Sequence, residues 1–514
     1  MKKLDKRAYM CLALSAFLFL GVCFYIGKVL VYGSTWVSYP ANQHIYTDGK
    51  ISTGSVFDVT GLLIMKNTES GTPEYNDDVT MRKALLHATH QIKEAKKSAH
   101  RGITFGEPTL DLEKLRAWKQ TILTKLAQGV AFLAQKRGVT VMTGRGYFEG
   151  NQSLRVETAQ GQQFIKFEQA IIATGSLTAM PKAFDLGNPR IMTSTEALDV
   201  AEIPQNLLVV GGGYIGMELG TVYAALGSKI VLVEALPAVL AGADPDLSRP
   251  VVANAQKAFK EIRLNARVLN MATSGPHIKV VMEFNGQKLE ELYDRVLVAV
   301  GRVPNSTDLG LENTKVTLDE KGFVKVNHHQ RTEDESIYAI GDVAGGVLLA
   351  HKAHKEARIA VEVICGQDSS NENIVIPAVV FTDPELAWCG LTEAEAREKG
   401  IPFEVAKFPW SASGRALSFD RTDGLTKLLI DPASERVLGV GIVGHCAGEL
   451  IAEGTLALEM GATAEDIALT VHPHPTLSET IMECAEAYYG HATHTLARKK
   501  TVDLQSAPKS LLAT

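Results

Sequence analysis

The chain has 514 residues, 46% hydrophobic and 21% charged, so it can bury several cores and is neither a disulfide-stapled miniature nor a disordered or polytopic chain. Its 52 basic and 58 acidic side chains leave a net charge of −6, which offers no basic surface for a phosphate backbone and argues against nucleic acid as a partner. The 6 cysteines, at positions 11, 23, 365, 389, 446 and 484, include no C-x-x-C or C-x4-C pair, so spacing supplies neither a zinc site nor a close redox pair.

In chain order, Tyr9 to Gly27 is an uncharged, mostly apolar run behind Lys2, Lys3, Lys6 and Arg7. That pattern predicts one membrane-spanning helix or signal anchor with a cytoplasmic N-terminus, and no Ala-x-Ala cleavage site follows it. Residues 33–83 are polar and rich in turn formers, which predicts a stem of short strands and loops. Within it GKISTGSVFDVTGLLIMKNTESG resembles the membrane-proximal segment of class B penicillin-binding proteins, with Asp58-Val59-Thr60-Gly61 in place of that family's Asp-x-Asn-Gly turn. Transpeptidation is excluded as an activity. It needs Ser-x-x-Lys followed by Ser-x-Asn and Lys-Thr-Gly, and the one Ser-x-x-Lys here, Ser506 to Lys509, has nothing downstream to assist it.

Residues 207–234 read as a buried strand (LLVVG), a glycine turn, a helix (GGYIGMELGTVYAALG) and a second strand (SKIVLVE), the order of a βαβ unit. Gly211 would make the tight turn, Gly213 would let the backbone approach a pyrophosphate, and Gly216 would let the helix pack on the strand. The phosphates would sit on the helix N-terminus. Glu234, at the end of the second strand, is placed to accept from ribose hydroxyls and to repel a 2′-phosphate, so the expected cofactor is NAD rather than NADP.

Three further strands end in small residues: AIIATGS at Ala173 to Ser176, RVLVAVG at Gly301-Arg302, and IYAIGD at Gly341-Asp342. Near the C-terminus His472-Pro473-His474-Pro475-Thr476-Leu477-Ser478-Glu479 leads into the helical pattern ETIMECAEAYYG. Thr476 and Glu479 have the spacing of a capping box, and His-x-His has no further ligands beside it to make a metal site.

From Ala84 to about residue 490 the chain resembles the dihydrolipoamide dehydrogenases, flavin- and NAD-dependent disulfide oxidoreductases. The residues that carry this are KALLHAT, ATGS, VVGGGYIGMELG, VGRVPN, YAIGDVAGG, LLAHKA, FTDPELAWCGLTEAEA and HPHPTLSE, in that family's order. The resemblance implies that Asp342, with Gly341, binds the flavin ribityl chain, and that Gly301 and Arg302 line the nicotinamide approach. It implies that His474, oriented by Glu479, is the acid–base, that the substrate is dihydrolipoamide or a lipoyl-bearing protein, and that the assembly is a homodimer in which the histidine reaches the partner subunit's redox centre.

In that family a first glycine loop for FAD and a C-x4-C disulfide precede KALLHAT, and neither stands ahead of Ala84 here. The expected fold is therefore α/β, a Rossmann-like flavoprotein with two dinucleotide domains, of which the FAD domain is incomplete. The expected boundaries are a membrane anchor and polar stem at 1–83, a partial FAD domain at 84–177 and an NAD-binding domain at 178–302. A returning FAD-domain segment at 303–372, an α+β dimerisation domain at 373–490 and a tail at 491–514 complete them. The expected function is NAD-dependent oxidation of dihydrolipoamide through FAD, impaired by the missing disulfide. The alternative is a non-enzymatic, membrane-attached dinucleotide-binding and dimerisation fusion protein. The anchor points to a membrane location and the main body, by resemblance, to the cytoplasm.

Overall fold

The computed structural model describes residues 78–496 together with a short antiparallel pair, Lys66–Asn67 and Pro73–Glu74. The membrane helix expected over Tyr9–Gly27, most of the polar stem and the end of the tail lie outside the described residues. Among those described, no helix is long and apolar enough to cross a membrane.

Helix α1 (Asp78–Lys97) runs unbroken through position 83, where the sequence reading ended the stem. Its buried residues Met81, Arg82, Leu85, Leu86 and Thr89 recur at helical spacing and form one face, so the residues before Ala84 pack with those after it. Helix α2 (Leu112–Lys136) is capped by Asp111, whose carboxylate accepts from the Lys114 N–H at 3.0 Å. Its early residues Leu112, Leu115 and Ile122 pack on the core, while Phe132 and Leu133 near its end are exposed.

Strands β1 (Arg145–Gly150), β2 (Ser153–Thr158) and β3 (Gly161–Lys166) form an antiparallel meander. Next come β4 (Ala170–Ile172), β5 (Ser176–Thr178), β6 (Ile191–Met192) and helix α3 (Ser194–Asp199). Thr193 and Glu196 cap α3 reciprocally.

The nucleotide domain then follows as β7 (Asn206–Val210), α4 (Tyr214–Leu226), β8 (Lys229–Val233), α5 (Pro245–Ala258) and β9 (Glu261–Arg263). An antiparallel excursion, β10 (Arg267–Ser274), β11 (His277–Phe284) and β12 (Gln287–Tyr293), precedes β13 (Arg295–Val298). The sheet order is β9-β8-β7-β13-β6, all parallel. Its inner strands read LLVV and IVLV without alternation because helices and the excursion cover both faces.

Strand β14 (Arg302–Pro304) pairs antiparallel with β5, and β15 (Ile337–Ala339) pairs parallel with β4. Phe148, Phe167 and Ile172 share a core with Leu311, Val324 and Ile337, so two segments on either side of the nucleotide domain make one body. Helix α6 (Ala350–Ile364) closes it.

The C-terminal unit is an antiparallel sheet in the order β16-β17-β20-β19-β18. Its strands are β16 (Ala378–Val380), β17 (Glu385–Gly390), β18 (Glu404–Pro409), β19 (Leu425–Ile430) and β20 (Val437–Gly444), with helix α7 (Glu393–Glu398) between β17 and β18. Helices α8 (Ala447–Glu459), α9 (Ala464–Leu469) and α10 (Glu479–Tyr489) follow. Strand β20 carries Gly439, Gly441 and Gly444 at the spacing of a dinucleotide turn, yet it is a strand. A Cβ on Gly439 would lie 2.0 Å from the Leu391 carbonyl oxygen, and one on Gly441 2.3 Å from a Leu247 methyl.

Two buried charge clusters join the units. Lys427 is fully buried, and its Nζ lies 2.6 Å from Asp244 Oδ2, 3.0 Å from Asp246 Oδ1 and 2.6 Å from Glu393 Oε1. Burial works against that ammonium, and the hydrogen bonds it donates to the three carboxylates overcome it and hold its pKa above the ordinary value. These three acids are the one group among the described residues spaced to hold a metal ion, and the ammonium sits among them.

The second cluster is built on Glu218 of α4, which is 1% exposed. Arg82 Nε of α1 donates to its Oε2 at 2.7 Å, and the Phe381 N–H donates to its Oε1 at 2.8 Å. Lys83 pairs with Glu385 alongside. Asp383 is opposed by its burial, but the hydrogen bond from His90 and the charges of Arg421 and Lys93 hold its carboxyl well below the usual range.

Burial pushes the Glu218 pKa up, with Arg82 opposing the shift. A carboxyl raised in the folded state stabilises the fold as pH falls and loses that contribution as pH rises through the folded value. Arg82→Ala, which removes the opposing cation, should therefore destabilise by about 3–5 kcal/mol at pH 8. In urea titrations the loss should shrink at pH 5, and Arg82→Met with Glu218→Leu should recover most of it. An equal loss at both pH values would contradict this account of Glu218.

Candidate nucleotide and acid–base sites

The glycine turn between β7 and α4 is built as the sequence predicts. Gly211 has φ +108°, and a Cβ there would lie 2.3 Å from the Ala299 carbonyl oxygen. A Cβ on Gly216 would lie 2.0 Å from the Gly211 carbonyl oxygen, so helix and turn meet with no room for a side chain. Gly213 differs: it is the N-cap of α4, and an added Cβ would meet nothing within 4 Å. Open space thus stands in front of the unpaired N–H groups of a 13-residue helix, the arrangement a pyrophosphate requires.

Glu234 ends β8 beside this turn. Its Oε2 accepts from the Gly212 N–H at 2.6 Å and its Oε1 from the Leu236 N–H at 2.8 Å. Both bonds orient the carboxylate, and each oxygen keeps acceptor capacity for a ribose hydroxyl. The residues present fit NAD.

The other strand ends converge too. Ser176 donates to Asp342, Arg302 Nε donates to Ser176 Oγ at 2.6 Å, and Arg302 Nη2 donates to the Ser176 carbonyl at 2.8 Å. The Arg302 Nε to Asp342 Oδ2 distance is 3.7 Å. Asn305 and Thr174 bind each other across the same junction, at 2.6 Å through Thr174 Oγ1 and 3.2 Å through Asn305 Nδ2. Gly301, with φ +130° and open space around it, leaves the backbone approachable beside Arg302.

Two residues that the sequence reading did not single out hold Gly341 in place. Glu356 accepts from the Gly341 N–H at 2.7 Å, and Lys352 donates to the carbonyls of Gly341 and Gly345 at 3.1 and 2.6 Å. Their signal is the i, i+4 charge pair in LLAHKAHKE, which predicts a helical ion pair; that it is buried was not legible. This polar cluster fits the ribityl end of FAD. A second strand–glycine–helix turn for the FAD pyrophosphate does not occur among the described residues, so they fit only part of that group.

At the C-terminal unit, His474 Nδ1 lies 2.8 Å from Glu479 Oε1, and Glu479 Oε2 accepts from the Thr476 N–H at 2.6 Å. The capping reading and the acid–base reading therefore share one carboxylate. The box is half made, because Thr476 Oγ1 turns to the Pro473 carbonyl rather than to a helical N–H. A carboxylate only accepts, so Nδ1 carries the donor hydrogen, and in the neutral ring Nε2 is the nitrogen with the lone pair. The His474 side chain is 71% exposed. His472 has both nitrogens engaged, Nε2 with Glu453 at 2.7 Å and Nδ1 with the Thr470 carbonyl at 2.8 Å.

No described thiol is poised as a nucleophile. Cys365, Cys389, Cys446 and Cys484 are free, and burial pushes each pKa up, that of Cys389 to about 11.

The pyridine nucleotide-disulphide oxidoreductase family matches residues 59–357, and the dimerisation domain of that family matches residues 376–485. The match begins upstream of Lys83 and takes in residues 59–83, which the sequence reading gave to a penicillin-binding-protein-like stem. The dihydrolipoyl dehydrogenase of Vibrio parahaemolyticus is 44% identical over 421 residues, covering 82% of this chain and 88% of that one. The dihydrolipoyl dehydrogenase of Staphylococcus aureus is 41% identical over 80% of this chain and 88% of its own. Among solved structures, LpdA of Mycobacterium tuberculosis superposes with a TM-score of 0.75 at 25% identity, over 85% of this chain and 92% of that chain. The HOCl-induced flavoprotein disulfide reductase RclA of Escherichia coli does so at 0.70 and 26%, over 79% and 89%.

Gly213→Ala should leave the fold within about 1 kcal/mol of the parent, the scale of an N-cap change, while weakening NADH binding. Gly216→Ala should lower the melting temperature and lose binding with it. Thermal melts paired with NADH fluorescence titrations check both, and a Gly213→Ala protein that binds NADH as tightly as the parent would remove the pyrophosphate from this turn.

Proposed function

The chain belongs to the pyridine nucleotide-disulphide oxidoreductase family, and on that premise we propose that it is a dihydrolipoyl dehydrogenase-type subunit that binds NAD(H) and presents an acid–base histidine but has no redox disulfide of its own. The family uses FAD and a pyridine nucleotide, and this chain carries its dimerisation domain. The reading rests first on the His474–Glu479 pair. A packing histidine would be enclosed, whereas this one is exposed and held at Nδ1 by a carboxylate.

Bound NAD supplies a hydride acceptor. Around it Gly211, Gly213 and Gly216 would hold the pyrophosphate, Glu234 the adenosine ribose, and Gly301 and Arg302 the approach of the nicotinamide. Gly341 and Asp342, tied to Ser176 and Arg302, would hold the ribityl end of FAD. His474 would take a proton at Nε2 from a dithiol such as dihydrolipoamide, and Glu479 would stabilise the resulting imidazolium.

Impairment is supported by one feature: the sequence has no C-x4-C pair. The division into flavin segments 84–177 and 303–372 around a nucleotide domain at 178–302, with dimerisation at 373–490, is supported by the shared core of the two outer segments. Here α1, from Asp78, belongs with the first of them.

The full chain should bind NADH at least about tenfold more tightly than NADPH, a difference of about 1.4 kcal/mol. Glu234→Gln, which keeps an acceptor for the Gly212 N–H, should narrow that ratio in calorimetry. Dihydrolipoamide:NAD turnover should be undetectable with FAD added, and should return when a relative's flavin loop and C-x4-C segment are joined ahead of α1. Turnover by the unaltered chain, or a preference for NADPH, would overturn the reading.

A further inference from the structure

We propose that the nucleotide domain carries a further small-molecule site, at the edge of its sheet opposite the glycine turn, and that this site binds a small organic dianion with an apolar body.

A cavity of about 260 Å³ opens where the starts of β7 and β8 meet strand β12 of the antiparallel excursion. Asn206 and Lys229, the first residues of those two strands, line it, whereas the glycine turn and Glu234 follow their last residues. At about 3.3 Å per residue the strands hold the cavity roughly 15 Å from the turn, so a ligand in it is no part of NAD. The volume is many times the ~30 Å³ of one water and just short of what drug-sized ligands fill, which suits a small metabolite.

The lining favours negative charge. Lys229 and Lys260 both line the cavity, and neither ammonium has a hydrogen-bond or ion-pair partner among the described residues. Glu291 is the one carboxylate beside them, and it is already engaged. Arg263, which also binds Glu261, donates to both Glu291 oxygens at 3.0 and 2.9 Å, and the Tyr293 hydroxyl donates to the same carboxylate. Burial opposes that charge, and the bonds from Arg263 and Tyr293, with the charges of Arg263 and Lys260, hold the carboxyl below its ordinary value. With three donors on it, Glu291 offers the lysines little that a ligand could not better.

The rest of the lining is apolar. Val231 and the Tyr293 ring are buried, and Leu292 between Glu291 and Tyr293 is 54% exposed. Two unmatched cations against such a wall repel a metal ion and select an anionic head on an apolar body. In a chain of net charge −6 that attraction has to be local. A pair of carboxylates and a phosphoryl ester share the head-group chemistry.

Calorimetry on the full chain tests this with phthalate and phenyl phosphate. Inorganic phosphate serves as the anion without an apolar body, and phthalamide as the body without charge. Phthalate or phenyl phosphate should bind with a Kd of about 1 mM or tighter, and the tighter of the two identifies the head group. Phosphate and phthalamide should bind at least about tenfold more weakly. Saturating NADH should leave the aryl anion in place. Lys229→Gln and Lys260→Gln should each weaken binding about tenfold, the scale of one hydrogen bond to a charged group, with melting temperature and NADH affinity unchanged. Lys229→Arg should retain it. The absence of binding by both aryl anions, equal binding of inorganic phosphate, displacement by NADH, or parental affinity in the Lys229→Gln, Lys260→Gln double variant would each overturn the proposal.

Discussion

Burying a carboxylate among apolar side chains is costly unless its charge is matched, and Glu218 is matched from two directions by elements far apart in sequence. Arg82 approaches from α1 and the Phe381 N–H from the start of the antiparallel sheet, so one carboxylate requires three units to be in register. The core follows the same join: Met81 and Leu85 of α1 pack in one cluster with Met217 of α4 and with Leu386 and Val443 of the C-terminal sheet. The Lys427 cluster repeats the arrangement farther along, where a buried ammonium is matched by Asp244, Asp246 and Glu393. With both clusters made, the nucleotide turn and the histidine segment are carried on units joined by buried charge.

That rigidity bears on what the sites can do. Gly213 presents open space in front of α4, and Glu234 is oriented by two backbone N–H groups before any ligand arrives. The nucleotide site is therefore organised in advance, which lowers the entropy lost on binding. Ser176, Arg302 and Asp342 are likewise bound to one another across three strand ends. His474 is held by one bond at Nδ1 and otherwise exposed.

The nucleotide domain was legible in the sequence because its demands are local. A buried strand needs an apolar run, the turn needs glycine at Gly211 and Gly216 for clearance, and Glu234 follows at the end of the next strand. His474 and Glu479 were legible through a family pattern, five residues apart. The spacing of Gly439, Gly441 and Gly444 shows the limit of motif reading, since the same pattern there meets packing needs inside a strand. The boundary expected between residues 83 and 84 falls inside α1, because it was drawn from where the resemblance begins. The burial of Met81 and Arg82 depends on α4, more than a hundred residues away, and leaves no local mark. The Lys427 and Lys352–Glu356 clusters were missed for the same reason, since charged residues in a sequence read as surface until a fold encloses them.

The proposed lack of a redox disulfide can be read from the thiols themselves: denature the full-length protein under acid, alkylate it with and without prior reduction, and assign every cysteine by mass spectrometry. All 6 cysteines should react in both samples. Two cysteines that react only after reduction would reveal a disulfide within the chain and contradict it.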